Sequence, residues 1–308
     1  MKIHSALMFA LIAALAAHVV EAQSDHGLRE YVMQRSASVD GNVPQLRPSQ
    51  TFSYGSDPLQ VLDFYAVPHA SRPTPLIIFV HGGGWKRGSK DVAASRYAPA
   101  HFTQLGYAYA AINYRLVPAA TVEQQGEDVA LALKALLARA GQLGIDRSRV
   151  VLMGHSAGAH LVALVGTDER YLKNVGLSFA DIRGVIPIDG AAYDVPRQIA
   201  QGGRFMHDTY LQAFGTDPAR QRALSPVMQA AAPNAPAFLL LHVQRPDGMA
   251  QAKELETALK RAGTAVERRD FPGTGLRGHA EINRQLGNPD YAATPVVDAW
   301  LRGVFGTK

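Results

Sequence analysis

Apolar residues in this chain gather in short unbroken runs, most of them bounded by glycine, proline or polar residues. Runs of that length predict strands covered on both faces. Positions 76–80, 107–112, 150–154, 182–188 and 236–243 read this way. Positions 59–67 and 265–271 alternate instead, as half-buried strands do. Helical patterns lie between them, at 97–105, 127–140, from Ala157 onward, at 249–261 and at 295–305. The second carries Val129, Leu131, Leu133, Leu136 and Leu137 as a helical face, with Arg139 near its end and Gly141 just beyond. Strand and helix alternating in this order predict an α/β fold with a mostly parallel central sheet and helices on both faces.

Three stretches depart from the alternation. Positions 6–17 are apolar behind Lys2, too short to cross a bilayer, with Val20 and Ala22 suited to a cleavage site. This predicts a signal peptide at 1–22, export to the periplasm or medium, and no stable membrane insertion after cleavage. Positions 23–56 are polar and weakly patterned, and read as an N-terminal arm before a catalytic domain at 57–308. Positions 193–235 lack a strand and hold Phe205, Met206, His207, Tyr210, Leu211 and Phe214. An insertion here predicts a small helical cap over a site at the strand ends.

Composition narrows the chemistry. The 308 residues include no cysteine, which excludes a thiol nucleophile, a thiolate metal site and disulfides. Net charge is +5 and survives loss of Lys2 and Glu21. No basic run exceeds two residues, so the charge reads as a solvated surface and not a nucleic-acid face. No metal or cofactor is expected.

The chemistry centres on Gly154-His155-Ser156-Ala157-Gly158, a G-x-S-x-G pattern between a predicted strand and a predicted helix. That setting presents a serine hydroxyl on a sharp turn. The helix start also aims free N–H groups at a developing oxyanion. A second glycine-rich segment, His81-Gly82-Gly83-Gly84-Trp85, follows the strand at 76–80. Gly83 and Gly84, with Ala157, are the candidate oxyanion-hole donors. A phosphate loop is excluded because Ser89-Lys90 follows Gly88 in the reverse of the required order. His81 is read as ordering the loop.

Serine needs a histidine base, and the base needs a carboxylate. Of the eleven histidines, His207, His242 and His279 follow Ser156 beyond its own helix. His207 has no preceding strand, and His242 lies inside a strand run. His279 follows the last strand and a glycine-rich loop at 272–278. Asp247 follows the strand at 236–243 and is the candidate acid, with Asp270 in reserve. Asp189 and Asp194 are read as loop-ordering or pocket-lining residues.

HGGGW at 81–85, GHSAGAHL at 154–161, Pro246-Asp247-Gly248 and Gly278-His279-Ala280-Glu281 resemble the α/β-hydrolase carboxylesterases. Within them it resembles in particular the kynurenine-formamidase-like and bacterial feruloyl-esterase-like (BD-FAE-like) group, from about position 57 onward. The resemblance implies the α/β-hydrolase fold, with Ser156 as nucleophile, His279 as general base and then acid, and Asp247 as its orienter. It places the oxyanion hole at the amides of Gly83, Gly84 and Ala157. His155 departs from the aspartate usual in hormone-sensitive-lipase-type esterases. Trp85 and His155 are candidate substrate-binding residues. The implied activity is a serine carboxylesterase acting on small or aryl esters through an acyl-enzyme. Arylformamidase activity on N-formylkynurenine is the alternative. A non-catalytic binding module would lack a triad or oxyanion element, and each has a candidate here.

Overall fold

The unbroken apolar runs form the middle of one eight-stranded sheet. The computed structural model describes residues 46–91, 96–202 and 204–306. Its strands are Gln50–Ser53 (β1), Val61–Tyr65 (β2), Thr74–Val80 (β3), Ala108–Ile112 (β4), Ile145–His155 (β5), Gly184–Ile188 (β6), Ala237–Gln244 (β7) and Ala265–Thr274 (β8). They lie in the order β1-β2-β4-β3-β5-β6-β7-β8. β1 and β2 pair antiparallel, as do β2 and β4. All pairs from β4 across to β8 are parallel.

Successive side chains of a central strand enter two separate cores, so neither face calls for polar residues. Leu76, Ile78, Val80, Val150 and Leu152 pack with Leu133, Leu136, Leu161 and Leu255 on one side. Ile77, Phe79, Tyr109, Val151 and Met153 pack with Phe102, Val297 and Leu301 on the other. Each such side chain contributes about 1.5–3 kcal/mol on full burial. β8 is the outer strand and carries Glu267, Arg268, Arg269 and Asp270, charges that discourage pairing with a further strand.

Several boundaries differ from expectation, each for a local reason. The helix expected at 127–140 is Val122–Ala138. Its start is a capping box in which Thr121 Oγ1 accepts from the Gln124 amide and Gln124 Oε1 accepts from the Thr121 amide. β1 lies within the stretch read as an arm, because antiparallel pairing to β2 asks for little hydrophobicity. The glycine-rich stretch before His279 is not a free loop. β8 continues to Thr274 and a helix, Gly275–Arg284, follows at once. Between β6 and β7 lie four short helices, Val195–Gln201, Arg204–Phe214, Pro218–Ala223 and Pro226–Gln229. The expected signal peptide, 1–22, and the arm as far as 45 lie outside the described residues. No described helix is long and apolar enough to cross a membrane.

The topology marks where a site can form. β3 pairs with β4 on one side and β5 on the other, so connections leave β3 and β5 in opposite directions. Open parallel sheets leave a crevice at such a switch point, beyond the strand carboxyl ends.

Candidate active site

Register brings the candidate residues together. Val80 lies opposite Gly154, so the HGGGW segment leaves β3 beside the turn that leaves β5. His155 lies opposite Ile188, and Ile188 opposite Leu241. Ser156 and Asp189, each just past its strand, and His242, within β7, therefore lie at one level on three adjacent strands.

Ser156 sits on the turn at φ 56° and ψ −117°, a conformation that costs on the order of 1–3 kcal/mol. Two hydrogen bonds hold it there. The Ser156 amide donates to the Ile188 carbonyl (3.0 Å), and the Ser156 carbonyl accepts from the His160 amide (3.1 Å). The helix Ala157–Thr167 then crosses β3 so closely that a Cβ on Gly158 would lie 2.1 Å from the Val80 oxygen. This contact is why the second glycine of the pattern is needed.

His279 lies in the helix Gly275–Arg284, with its side chain partly exposed. Its Nε2 is 3.0 Å from Ser156 Oγ, and its Nδ1 is 2.5 Å from Asp189 Oδ2. An ionised carboxylate only accepts, so Nδ1 carries the proton and Nε2 is free to accept from the serine. Asp189 is fully buried. His242 Nδ1 donates to its Oδ1 at 3.2 Å, and the Val243 amide donates to the same oxygen at 3.3 Å. Arg245 Nε lies 2.9 Å from Oδ2 as a charge contact without hydrogen-bond alignment. Burial alone would raise the Asp189 carboxyl. The hydrogen bonds from His242 and His279, with the positive charge of Arg245, hold it well below the usual carboxylate range.

The HGGGW segment passes against the turn, so that a Cβ on Gly82 would lie 3.0 Å from Ser156 Cβ. Gly83, Gly84 and Trp85 all have positive φ, at 125°, 61° and 61°. Such a run gathers backbone N–H groups into an anion-binding concavity. Among the described residues, the amides of Gly83, Gly84 and Ala157 donate to no protein acceptor. His81 orders the segment. Its Nδ1–H donates to the Gly82 carbonyl (2.7 Å), and its ring stacks on Tyr114 at 4.2 Å. Burial lowers its pKa to about 4, so the ring is neutral at working pH.

The family model for BD-FAE matches residues 62–247, which include the HGGGW segment, Ser156 and Asp189. The chain belongs to the BD-FAE family. His279 lies beyond the matched residues. Among curated relatives, this BD-FAE chain is 30% identical to esterase LipC of Mycobacterium tuberculosis over 202 residues, 62% of the chain and 49% of LipC. It is 26% identical to kynurenine formamidase of Danio rerio over 245 residues, 79% of the chain and 78% of that protein. The chain spans about half or less of the first curated relatives it matches. Among solved structures, esterase B of Lactobacillus rhamnosis superposes with a TM-score of 0.71 at 20% identity, covering 94% of each chain. At that identity the likeness shows the α/β-hydrolase fold.

Within this BD-FAE fold the candidate acid read from the sequence, Asp247, is not beside His279. Pro246 takes the first position of a helix, Pro246–Arg261, where its fixed φ suits and its missing N–H costs nothing. Asp247 thus sits in the first helical turn, where its carboxylate accepts from Gln198 Nε2 at 3.3 Å. Asp189, read as loop-ordering, takes the expected place. The signal in the sequence was its position directly after an apolar strand run; in the structure its backbone is at φ 44°. Asp270, the reserve, pairs with Arg268 at 2.5 Å. Asp194 caps the helix Val195–Gln201 by accepting from the Arg197 amide.

Both side chains expected to bind substrate are enclosed by protein. Trp85 is 2% exposed and packs edge-on against Phe214, His160 and Tyr210. His155 is 7% exposed, and its Nε2–H donates to the His279 carbonyl at 2.9 Å while the two rings lie 4.5 Å apart. Burial, then the neighbouring His279, lower the His155 pKa to about 3. His155 therefore braces His279 as a neutral ring.

Proposed function

We propose that this BD-FAE protein is a serine carboxylesterase that cleaves small or aryl carboxylic esters through an acyl-enzyme. The observation that carries the proposal is the chain of contacts from Ser156 Oγ to His279 Nε2 at 3.0 Å and from His279 Nδ1 to Asp189 at 2.5 Å. In this reading Ser156 Oγ attacks the ester carbonyl as His279 Nε2 takes its proton. Asp189 stabilises the imidazolium and keeps its tautomer. The amides of Gly83, Gly84 and Ala157 receive the oxyanion. His279 then protonates the departing alcohol, and water drawn through the same base releases the acid. The names of LipC and esterase B support ester chemistry.

The formamidase reading has one observation in its favour: the Danio rerio formamidase is matched over most of its length, LipC over half. The same residues would expel an amine in place of an alcohol. One experiment covers both readings. p-Nitrophenyl esters from acetate to palmitate, methyl ferulate and N-formylkynurenine are assayed with wild type and Ser156→Ala. Expected is turnover greatest on short or aryl acyl groups, falling by about 10⁴-fold or more in the variant. Ester hydrolysis that persists in Ser156→Ala overturns the proposal. Formamide turnover above every ester reverses the order of the two readings.

A further inference from the structure

Trp85 is the one residue of the HGGGW segment with both a side chain to anchor and a left-handed backbone, at φ 61°. A bulky residue holds that conformation only where its surroundings over-determine it. Its carbonyl accepts from the Val117 amide at 3.0 Å and from Gln125 Nε2 at 2.7 Å. Its indole is buried, and the single indole donor, Nε1–H, points to His160 Nδ1 at 3.3 Å. His160 is fully buried in the helix Ala157–Thr167, and its Nε2 lies 2.9 Å from the Leu224 carbonyl. Leu224 belongs to the four-helix insertion, between Pro218–Ala223 and Pro226–Gln229.

Those two partners leave His160 no choice of state. An indole N–H only donates, and a backbone carbonyl only accepts. Nδ1 must therefore be bare and Nε2 protonated, and the ring neutral. We propose that His160 is a positioning residue for the oxyanion donors, holding the Trp85 indole through Nδ1 and thereby fixing the backbone of Gly83 and Gly84. The inference rests on the esterase reading and adds a residue that touches neither substrate nor Ser156 Oγ. The physical reason lies in the alternative. Without an acceptor at Nδ1, a buried indole N–H is orphaned, and the indole must turn to find another. Trp85 directly follows Gly84, so a turned indole drags the donor amides with it. Oxyanion donors act only when they lie about 2.7–3.1 Å from the developing charge.

Two variants separate the contacts. In His160→Asn the amide oxygen stands near the place of Nδ1 and can still receive the indole N–H. In His160→Gln the amide nitrogen stands near the place of Nε2, which keeps the Leu224 contact and abandons the indole. Each enzyme is assayed on p-nitrophenyl acetate, with active sites counted by fluorophosphonate labelling. His160→Gln is expected to lower kcat about 10- to 100-fold, with KM within about threefold. His160→Asn recovers most of that loss. Affinity for a trifluoromethyl ketone, which forms a tetrahedral adduct, follows kcat across the series. The double variant His160→Gln/Trp85→Phe falls no further than Trp85→Phe alone. Equal kcat per labelled site in the Asn and Gln variants overturns the inference while leaving the esterase reading intact. If neither variant folds, Trp85→Phe alone decides, and an unchanged kcat overturns it. A wild type that neither labels nor turns over ester would overturn the esterase reading and this inference with it.

Discussion

Asp189→Asn separates the two candidate acids because an amide cannot satisfy the donors around this carboxylate. Oδ1 receives the Val243 amide at 3.3 Å and His242 Nδ1 at 3.2 Å, while Oδ2 receives His279 Nδ1 at 2.5 Å. A backbone N–H never accepts, so the amide oxygen must stay on the Val243 side. The NH₂ group then faces His279, whose Nδ1 has to give up its proton and accept. That proton moves to Nε2, the nitrogen 3.0 Å from Ser156 Oγ. A base already protonated on that nitrogen cannot take the serine proton. In the serine-protease template the wrong tautomer lowers kcat by about 10⁴. Here a loss of roughly 10³–10⁴ is expected, about 4–5.5 kcal/mol of transition-state stabilisation.

Stability falls as well, because Arg245 loses the buried charge beside it. Removing one partner of such a pair costs about 3–5 kcal/mol. At about 2–4 °C per kcal/mol for a domain of this size, Tm drops by roughly 10 °C. The assay is therefore run well below the variant's own Tm, with far-ultraviolet circular dichroism confirming the fold. Asp247→Asn is the control. Among the described residues its carboxylate accepts from Gln198 alone, and it sits in a helical first turn. It should keep kcat within a few-fold and lose only about 0.3–1 kcal/mol of stability. Folded Asp189→Asn with kcat within about tenfold of wild type, together with a 10³-fold loss in Asp247→Asn, would refute the reasoning.

Acid should weaken the fold through three buried histidines. His81, His155 and His160 have pKa values lowered to about 4, 3 and 4, chiefly by burial. Below about pH 6.5 the unfolded chain binds protons that the folded chain refuses, so stability falls by up to about 4 kcal/mol per pH unit toward pH 4. Asp189, with a depressed folded pKa, keeps its contribution above its unfolded value near 3.9 and does not offset this loss. Urea midpoints that stay flat from pH 7 to pH 5 would contradict the assignment. Gly158→Ala drives a Cβ to 2.1 Å from the Val80 oxygen and 2.6 Å from the His81 oxygen, and should cost more than about 3 kcal/mol. Gly141→Ala meets nothing within 4 Å and serves as its comparison; equal Tm in the two would count against the close crossing. A signal peptide at 1–22 would release a chain beginning at Gln23, and N-terminal sequencing of the expressed protein that reads Met1 would exclude cleavage there.

The sheet was legible because the chemistry of its strands is simple. Strands such as β3 and β7, covered on both faces, need no polar positions, and their apolar runs announce them. Ser156 was legible because Gly154 and Gly158 must flank it where the following helix passes close to β5 and β3. The acid was not, and the reason is local. A Pro-Asp-Gly triplet reads as a turn, yet Pro246 also opens a helix, and the helix took the residues. Chain order alone could not choose between Asp189 and Asp247, since both follow strands between Ser156 and His279. Strand register chooses, and register is a tertiary quantity. Trp85 and His155 failed as substrate contacts for a related reason. Adjacency in sequence to the serine, as for His155, or to the oxyanion-loop glycines, as for Trp85, does not say which way a side chain points, least of all at positive φ, as Trp85 has.

The end of β7 still serves the acid although it does not supply it. His242, Val243 and Arg245 all come from β7 or the residues just after it, and all three surround Asp189. A carboxylate with no solvent contact needs such company, because removing a charge from water costs several kcal/mol even after relaxation. Asp247 in its helical turn could remain hydrated and needs none of it. Moving the acid to β6 thus exchanges a hydrated carboxylate for a buried one and obliges the neighbouring strand to provide two donors and a cation. The added order falls on His279. Its Nδ1 meets an acceptor fixed by three other groups, and its carbonyl is held by His155. The imidazole is thereby oriented before substrate arrives, from both ends of the histidine and by residues on or directly after three different strands.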